Sequence, residues 1–126
     1  MKNAVGLWID HRKAVVVRIK DKLEEIKVIT SNVDKHIRFS GEAQKQAEED
    51  QQDRRFRNQL NQFYDGVISF LRDAESILII GPGKAKIEFK KRLETETQSG
   101  RIVGLETVDK MTDNQIVARV KGYFAK

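Results

Sequence analysis

The stretch Ser76–Lys84 constrains the fold more than any other part of this sequence. It contains four consecutive aliphatic residues, Ile77–Ile80, a pattern typical of a strand buried on both faces, as in a sheet covered by helices. Gly81-Pro82-Gly83 then ends the strand, because proline cannot donate to a ladder and glycine permits a tight turn. A helix is predicted from Lys84 to Glu96, with one apolar stripe formed by Ala85, Phe89 and Leu93. Strand, turn and helix together form half of an α/β unit.

Three strands are predicted before this unit. Apolar residues alternate or cluster over Ala4–Asp10, Ala14–Lys20 and Leu23–Thr30, and short polar turns separate the three segments. They form an antiparallel meander. Residues 31–53 lack periodicity, which is typical of a functional loop or disorder, although Lys45–Asp53 also fits the solvated start of a helix.

The remaining elements complete one α/β domain over residues 1–126. A helix is predicted over Arg54–Asp73, a strand over Arg101–Val108, and a last helix that starts at a capping box of Thr112 and Gln115 and ends near Phe124. The core stripe of the first helix comprises Phe56, Leu60, Phe63, Val67 and Phe70. The order β-β-β-α-β-α-β-α predicts a mixed five-stranded sheet with ribonuclease-H-like topology, in which the last two strands are parallel.

Composition limits the classes of function. The chain has no cysteine, which excludes thiol catalysis and disulfide scaffolding, and its formal net charge of +5 favours a polyanionic partner. No apolar run approaches membrane-spanning length and no signal peptide is recognisable, so we expect a cytoplasmic protein without a membrane partner.

The turn after the buried strand is the best candidate for a binding site. Glycines let the backbone approach an anion, and the positive end of a helix dipole follows directly. The predicted phosphate- or RNA-binding residues are Gly81, Gly83, Lys84, Lys86, Lys90, Lys91 and Arg92, with Arg12 and Lys13 as further candidates. The spacing is neither a Walker loop nor a dinucleotide fingerprint. The alternative is an ordinary turn before a solvated, charged helix face, with most of these cations exposed.

The sequence supports a catalytic site less well than a binding site. A divalent-metal nuclease of the ribonuclease-H-like class would use Asp10, Asp109 and Asp113, but two-metal chemistry needs several converging carboxylates, and Asp10 also fits a turn. The two histidines, His11 and His36, show no metal-ligand spacing. We therefore predict a non-enzymatic protein with no metal or cofactor. Trp8 is interpreted as a core residue rather than a platform for stacking a base.

The residues Ile77–Gly83, Lys86, Phe89 and Leu93, followed by Ile102-Val103 and Thr107-Val108-Asp109, resemble a known family. The pattern is similar to the middle domain of archaeal and eukaryotic class-1 peptide release factors and of Pelota ribosome-rescue proteins. It also resembles small bacterial proteins described as translational machinery or release-factor-like. The clear match covers residues 76–124.

The resemblance implies a role on the ribosome. Release factors reach the peptidyl-transferase centre through a Gly-Gly-Gln loop, which would fall within residues 31–53, yet only Ser40-Gly41-Glu42-Ala43-Gln44 occurs there. Pelota middle domains also lack the tripeptide, so the resemblance implies association with the ribosome or structured RNA without hydrolysis. A small interaction protein that self-associates through residues 48–53 or a sheet edge is a further hypothesis.

Overall fold

The computed structural model describes residues 3–20, 23–31, 46–96 and 101–125. Its elements follow the predicted order. The strands are β1 (Asn3–Ile9), β2 (Lys13–Lys20), β3 (Leu23–Thr30), β4 (Ser76–Gly81) and β5 (Ile102–Thr107), and the helices are α1 (Gln46–Ser69), α2 (Ala85–Glu96) and α3 (Asp113–Phe124).

The five strands form one mixed sheet in the order β3-β2-β1-β4-β5. β1 pairs antiparallel with β2, and β2 pairs antiparallel with β3, as the meander predicts. β4 lies parallel to both β1 and β5. The predicted α/β class and mixed five-stranded sheet are therefore confirmed, while the specific comparison with ribonuclease H stays a prediction.

Two apolar clusters cover the two faces of the sheet. Ile77 and Ile79 of β4 belong to a cluster with residues of α1 and α2, and Leu78 and Ile80 belong to a second cluster with residues of α3. All four side chains are fully buried. The run of aliphatic residues thus reflects a strand with a helical layer on each side.

Trp8 is a core residue, as predicted. It is fully buried in the second cluster, beside the residues of α3. Gly6, on the same face of β1, leaves room for Val120, whose side chain would collide with any Cβ at position 6. No base can stack on Trp8 in this arrangement.

The helix predicted over Arg54–Asp73 has different limits, because α1 begins at Gln46 and ends at Ser69. Its early start agrees with the alternative interpretation of Lys45–Asp53 as the solvated beginning of a helix. The core assignment of Phe70 is wrong, since this side chain is 38% exposed. After Ser69 the backbone turns, with the N–H of Phe70 donating to the Val67 carbonyl at 2.9 Å, and Leu71 takes the buried position instead.

The capping box at the start of α3 is confirmed. The backbone N–H of Gln115 donates to Thr112 Oγ1 at 3.1 Å, and the backbone N–H of Thr112 donates to Gln115 Oε1 at 2.9 Å. The predictions for His36 and the segment Ser40–Gln44 fall outside the described residues. Across the described ranges, no helix is long and apolar enough to cross a membrane.

A substitution at Gly81 tests how closely β1 and β4 must approach each other. A Cβ at this position would collide with the backbone carbonyl oxygen of Ile9, which cannot rotate away. We expect Gly81→Ala to lower the free energy of unfolding by about 1–3 kcal/mol, the usual cost of overpacking, as measured by urea denaturation.

Gly83→Ala is the matched control, because a Cβ there meets nothing within 4 Å. It should change the free energy of unfolding by less than about 1 kcal/mol. Equal losses in the two variants would contradict the assigned clash.

Candidate nucleic-acid interface

The turn after β4 lies at the carboxyl end of the two central parallel strands. Gly81 is buried, and its carbonyl oxygen accepts the backbone N–H of Val108 at 3.0 Å. Pro82, Gly83 and Lys84 are exposed. The Lys84 carbonyl accepts the backbone N–H of Glu88 at 3.0 Å, so Lys84 stands directly before α2. The predicted anion site thus has an exposed turn and an exposed cation at the positive end of a helix.

Lys86 does not face solvent, contrary to the expectation for most of these cations. Its side chain is only 5% exposed, and Nζ donates to the Gly83 carbonyl at 2.5 Å. The sequence carried a signal for this position, because Lys86 precedes Phe89 by three residues and Leu93 by seven, the spacing of a buried helical stripe. Lys86 therefore holds the turn in place from inside the fold.

Two other predicted cations form ion pairs. Lys90 Nζ lies 2.8 Å from Glu94 Oε2, one helical turn away. The guanidinium of Arg92 donates to both carboxylate oxygens of Asp65, at 2.6 and 3.0 Å, which links α2 to α1. These hydrogen bonds hold the pKa of Asp65 below its usual value. Both cations thus have a structural partner within the fold.

Among the predicted cations on or beside α2, Lys84 and Lys91 are exposed. In the turn between β1 and β2, Arg12 is also exposed. Lys13, by contrast, has Nζ 5.7 Å from the centre of the Trp8 ring and 3.8 Å from Asp113 Oδ1. Among these candidates, Arg12, Lys84 and Lys91 are the side chains best placed to meet an external phosphate.

A groove between α1 and α2 adjoins this cationic surface. It encloses about 570 Å³, and its lining includes three cations, Arg57, Lys91 and Arg92, together with the rings of Phe56 and His11. Among the described residues of the lining, Glu88 is the one acidic residue. The groove is therefore rimmed mainly by positive charge, with aromatic rings beside it. Sequence reasoning included Lys91 and Arg92 but missed the contribution of Arg57.

The Glu88 side chain is 46% exposed, but its carboxylate contacts two side chains of the protein. Its Oε1 atom accepts the Tyr64 hydroxyl at 2.7 Å and lies 3.1 Å from His11 Nε2. Burial raises the pKa of the Tyr64 hydroxyl well above its usual value, and the hydrogen bond to Glu88 raises it further. Tyr64 is therefore a neutral donor, and the cluster joins α1, α2 and the β1–β2 turn. Its members are too far apart in sequence for a motif to reveal them.

The carboxylates required for a metal-dependent nuclease do not assemble. Asp10 Oδ1 accepts the backbone N–H groups of Arg12 and Lys13, at 2.7 and 2.8 Å, so Asp10 shapes the turn, and Asp113 lies beside Lys13. Within the described ranges no group of three or more His, Cys, Asp or Glu side chains could hold a metal ion. Asp10, Asp109 and Asp113 thus form no such group.

Comparison with solved structures identifies the fold. An archaeal translation termination factor matches over 98% of this chain and 39% of its own, with a TM-score of 0.58 and 14% identity. Pelota from Thermoplasma acidophilum matches over 96% of this chain and 32% of its own (TM-score 0.61, 17% identity). Pelota from Archaeoglobus fulgidus matches over 95% and 31% (TM-score 0.52, 16% identity).

These matches confirm, at the level of the fold, the resemblance to release factors and Pelota that the sequence indicates. The chain spans less than half the length of each of the three proteins. No protein-family model matches the sequence. A search of curated proteins also finds no match.

Tyr64 predicts a specific dependence of stability on pH. The Tyr64 hydroxyl has a higher pKa in the folded protein than in the unfolded protein. Its contribution to the free energy of unfolding is therefore complete below the pKa of the unfolded state, about 10, and is lost as the pH rises towards the pKa of the folded state. We expect Tyr64→Phe to be less stable than the wild type at neutral pH by about 1–3 kcal/mol, through loss of the Glu88 hydrogen bond.

The difference in free energy of unfolding between the wild type and Tyr64→Phe should become smaller above about pH 10, because the Tyr64 hydroxyl ionises there in the unfolded protein but not in the folded one. Urea denaturation at a series of pH values measures it, and Tyr123→Phe controls for the general effect of removing a tyrosine. A gap that stays constant or widens with pH would contradict the proposed environment of Tyr64.

Proposed function

We propose that this chain is a non-enzymatic domain that associates with ribosomes through structured RNA and acts in translation. The observation that carries the proposal is a pair of exposed cations, Lys84 directly before α2 and Lys91 on α2 at the rim of the adjoining groove. RNA is the partner that these charges suit, because phosphate contacts dominate the affinity of such interfaces.

The structural relatives support the translational part of the proposal. One of them is, by name, a translation termination factor, and the chain matches 39% of its length. We propose that residues 1–126 act as a single domain like the middle domain of such factors, in the cytoplasm. Peptide release is not part of the proposal, because the sequence contains no Gly-Gly-Gln.

The cations contribute in different ways. Lys86 stabilises the turn from below by its bond to Gly83 and adds positive charge to it. Arg92 positions α2 against α1 through Asp65, and Lys90 pairs with Glu94 within α2. Lys84 and Lys91 contact phosphates directly. Gly81 and Gly83 shape the backbone that approaches the RNA, and Arg57 and Arg12 extend the surface on either side.

Co-sedimentation with purified ribosomes at several salt concentrations tests the proposal. We expect binding by the wild type to weaken steeply as salt rises, since each phosphate contact releases counterions. In Lys84→Ala/Lys91→Ala the slope of log affinity against log salt should fall by about 1 per lysine removed. Both lysines are exposed and neither substitution removes the buried Lys86, so we expect the fold to be preserved.

The control is Lys20→Ala/Arg72→Ala. It removes two exposed positive charges at the opposite end of the sheet, near Asn3, and therefore changes the net charge equally. Its slope of log affinity against log salt should be almost the same as that of the wild type. Salt-insensitive binding, or equal losses in the two double variants, would contradict the assignment of the site.

A further inference from the structure

Strand β3 forms one edge of the sheet, and no described residue forms a strand along its outer side. Within the described ranges, β2 is its only neighbouring strand. Seven of its eight residues are exposed, including Leu23 at 73% and Ile26 at 48%. The strand runs over its full length without proline or a bulge, two of the devices that protect a sheet edge, and its protection rests on the charges of Glu24, Glu25 and Lys27. Such an edge can pair with another strand.

The register with β2 shows which β3 residues share a face. Ile29 is paired with Ala14 and packs against the cluster beneath α1, so Leu23, Glu25 and Lys27 lie on that face too. Val28 is paired with Val15 of the cluster beneath α3, which places Ile26 and Glu24 on the other face. Each face therefore combines apolar residues with charge.

We propose that β3 pairs in an antiparallel manner with β3 of a second copy of this chain, around a two-fold axis at Ile26. This register places Glu25 of each copy opposite Lys27 of the other, on the same face, so two opposite-charge pairs form. Leu23 lies opposite Ile29 on that face, and the two Ile26 side chains meet on the other. Glu24 lies opposite Val28 on that second face, so β3 is complementary to itself mainly on the face of Glu25 and Lys27.

Neighbouring registers lose this complementarity. A two-fold axis at Glu25 places the two Glu25 carboxylates opposite each other, and an axis at Lys27 does the same with the two ammonium groups. The charges therefore select Ile26 as the centre, since like charges directly opposite each other destabilise a strand pair.

Glu25 and Lys27 are available for these pairs. The Glu25 side chain is 80% exposed, with its Oε1 atom 3.7 Å from Arg18 Nε, and Arg18 has a shorter ion pair with Asp73 at 2.8 Å. Lys27 Nζ lies 5.5 Å from the centre of the exposed Phe70 ring. Neither residue is buried, so both can be exchanged without opening the core.

Charge reversal provides the test. In Glu25→Lys every charged pair across the interface becomes two lysines, and in Lys27→Glu it becomes two glutamates. Sedimentation velocity from micromolar to millimolar concentration should show a dimer for the wild type. Dimerisation should be weaker by roughly tenfold or more in each variant.

Mixing the two variants in equal amounts should restore the dimer. In the mixed pair, the lysine introduced at position 25 of the first protein faces the glutamate introduced at position 27 of the second. The unchanged Lys27 of the first protein faces the unchanged Glu25 of the second, so both pairs again join opposite charges. Glu75→Lys, an exposed charge reversal just before β4, is the control and should dimerise like the wild type. Circular dichroism of each variant verifies the fold.

Three results would overturn the proposal: a wild type that stays monomeric at every concentration, single variants that dimerise as well as the wild type, or a mixture that does not regain the dimer. The last result separates pairing in this register from a general effect of charge, because the mixture contains the same substitutions as the separate samples.

Discussion

The parallel pairing of β1 with β4 is the contact on which the rest of the structure depends. Four β4 side chains, Ile77–Ile80, are fully buried and alternate between the two clusters, and each contributes roughly 1.5–3 kcal/mol by leaving water. Burial on both faces requires a helical layer on each side of the sheet. α1 and α2 form one layer, and α3 forms the other. Gly81 ends the pairing where only hydrogen fits against Ile9, so the candidate site begins where the core stops.

Pairing within the protein decides which cations can bind an external anion. A lysine whose ammonium already meets a carbonyl or a carboxylate must lose that contact before it can bind elsewhere. Lys86 and Lys90 are in this position, because they contact Gly83 and Glu94, respectively. Lys84 and Lys91 are exposed. Of the five basic residues in this row, Lys84 and Lys91 are therefore the ones free of a contact among the described residues that would have to be broken.

The sequence predicted the elements more completely than the site. Ile77–Ile80 identify a central strand because a continuous aliphatic run has few other uses in a small α/β domain. The same periodic reasoning, applied to Lys86 as well as to Phe89, would have placed that lysine in the core. The cluster of Tyr64, Glu88 and His11 follows from no local pattern, since its members are 24 and 77 residues apart and meet only through packing of helices and turn. Phe70 was misplaced because the helical stripe was extended past the end of α1.

The two proposed surfaces are separate within the fold. β2 and β1 lie between β3 and β4, and three strand spacings amount to roughly 14 Å. This distance exceeds the screening length of about 8 Å at physiological salt. Charge reversal at Glu25 or Lys27 should therefore leave the potential at Lys84 nearly unchanged. A dimer through β3 would carry two copies of the cationic turn, and its apparent affinity for RNA would rise wherever one RNA reaches both turns at once. The gain would come from geometry, since the contacts of each turn with phosphate stay the same.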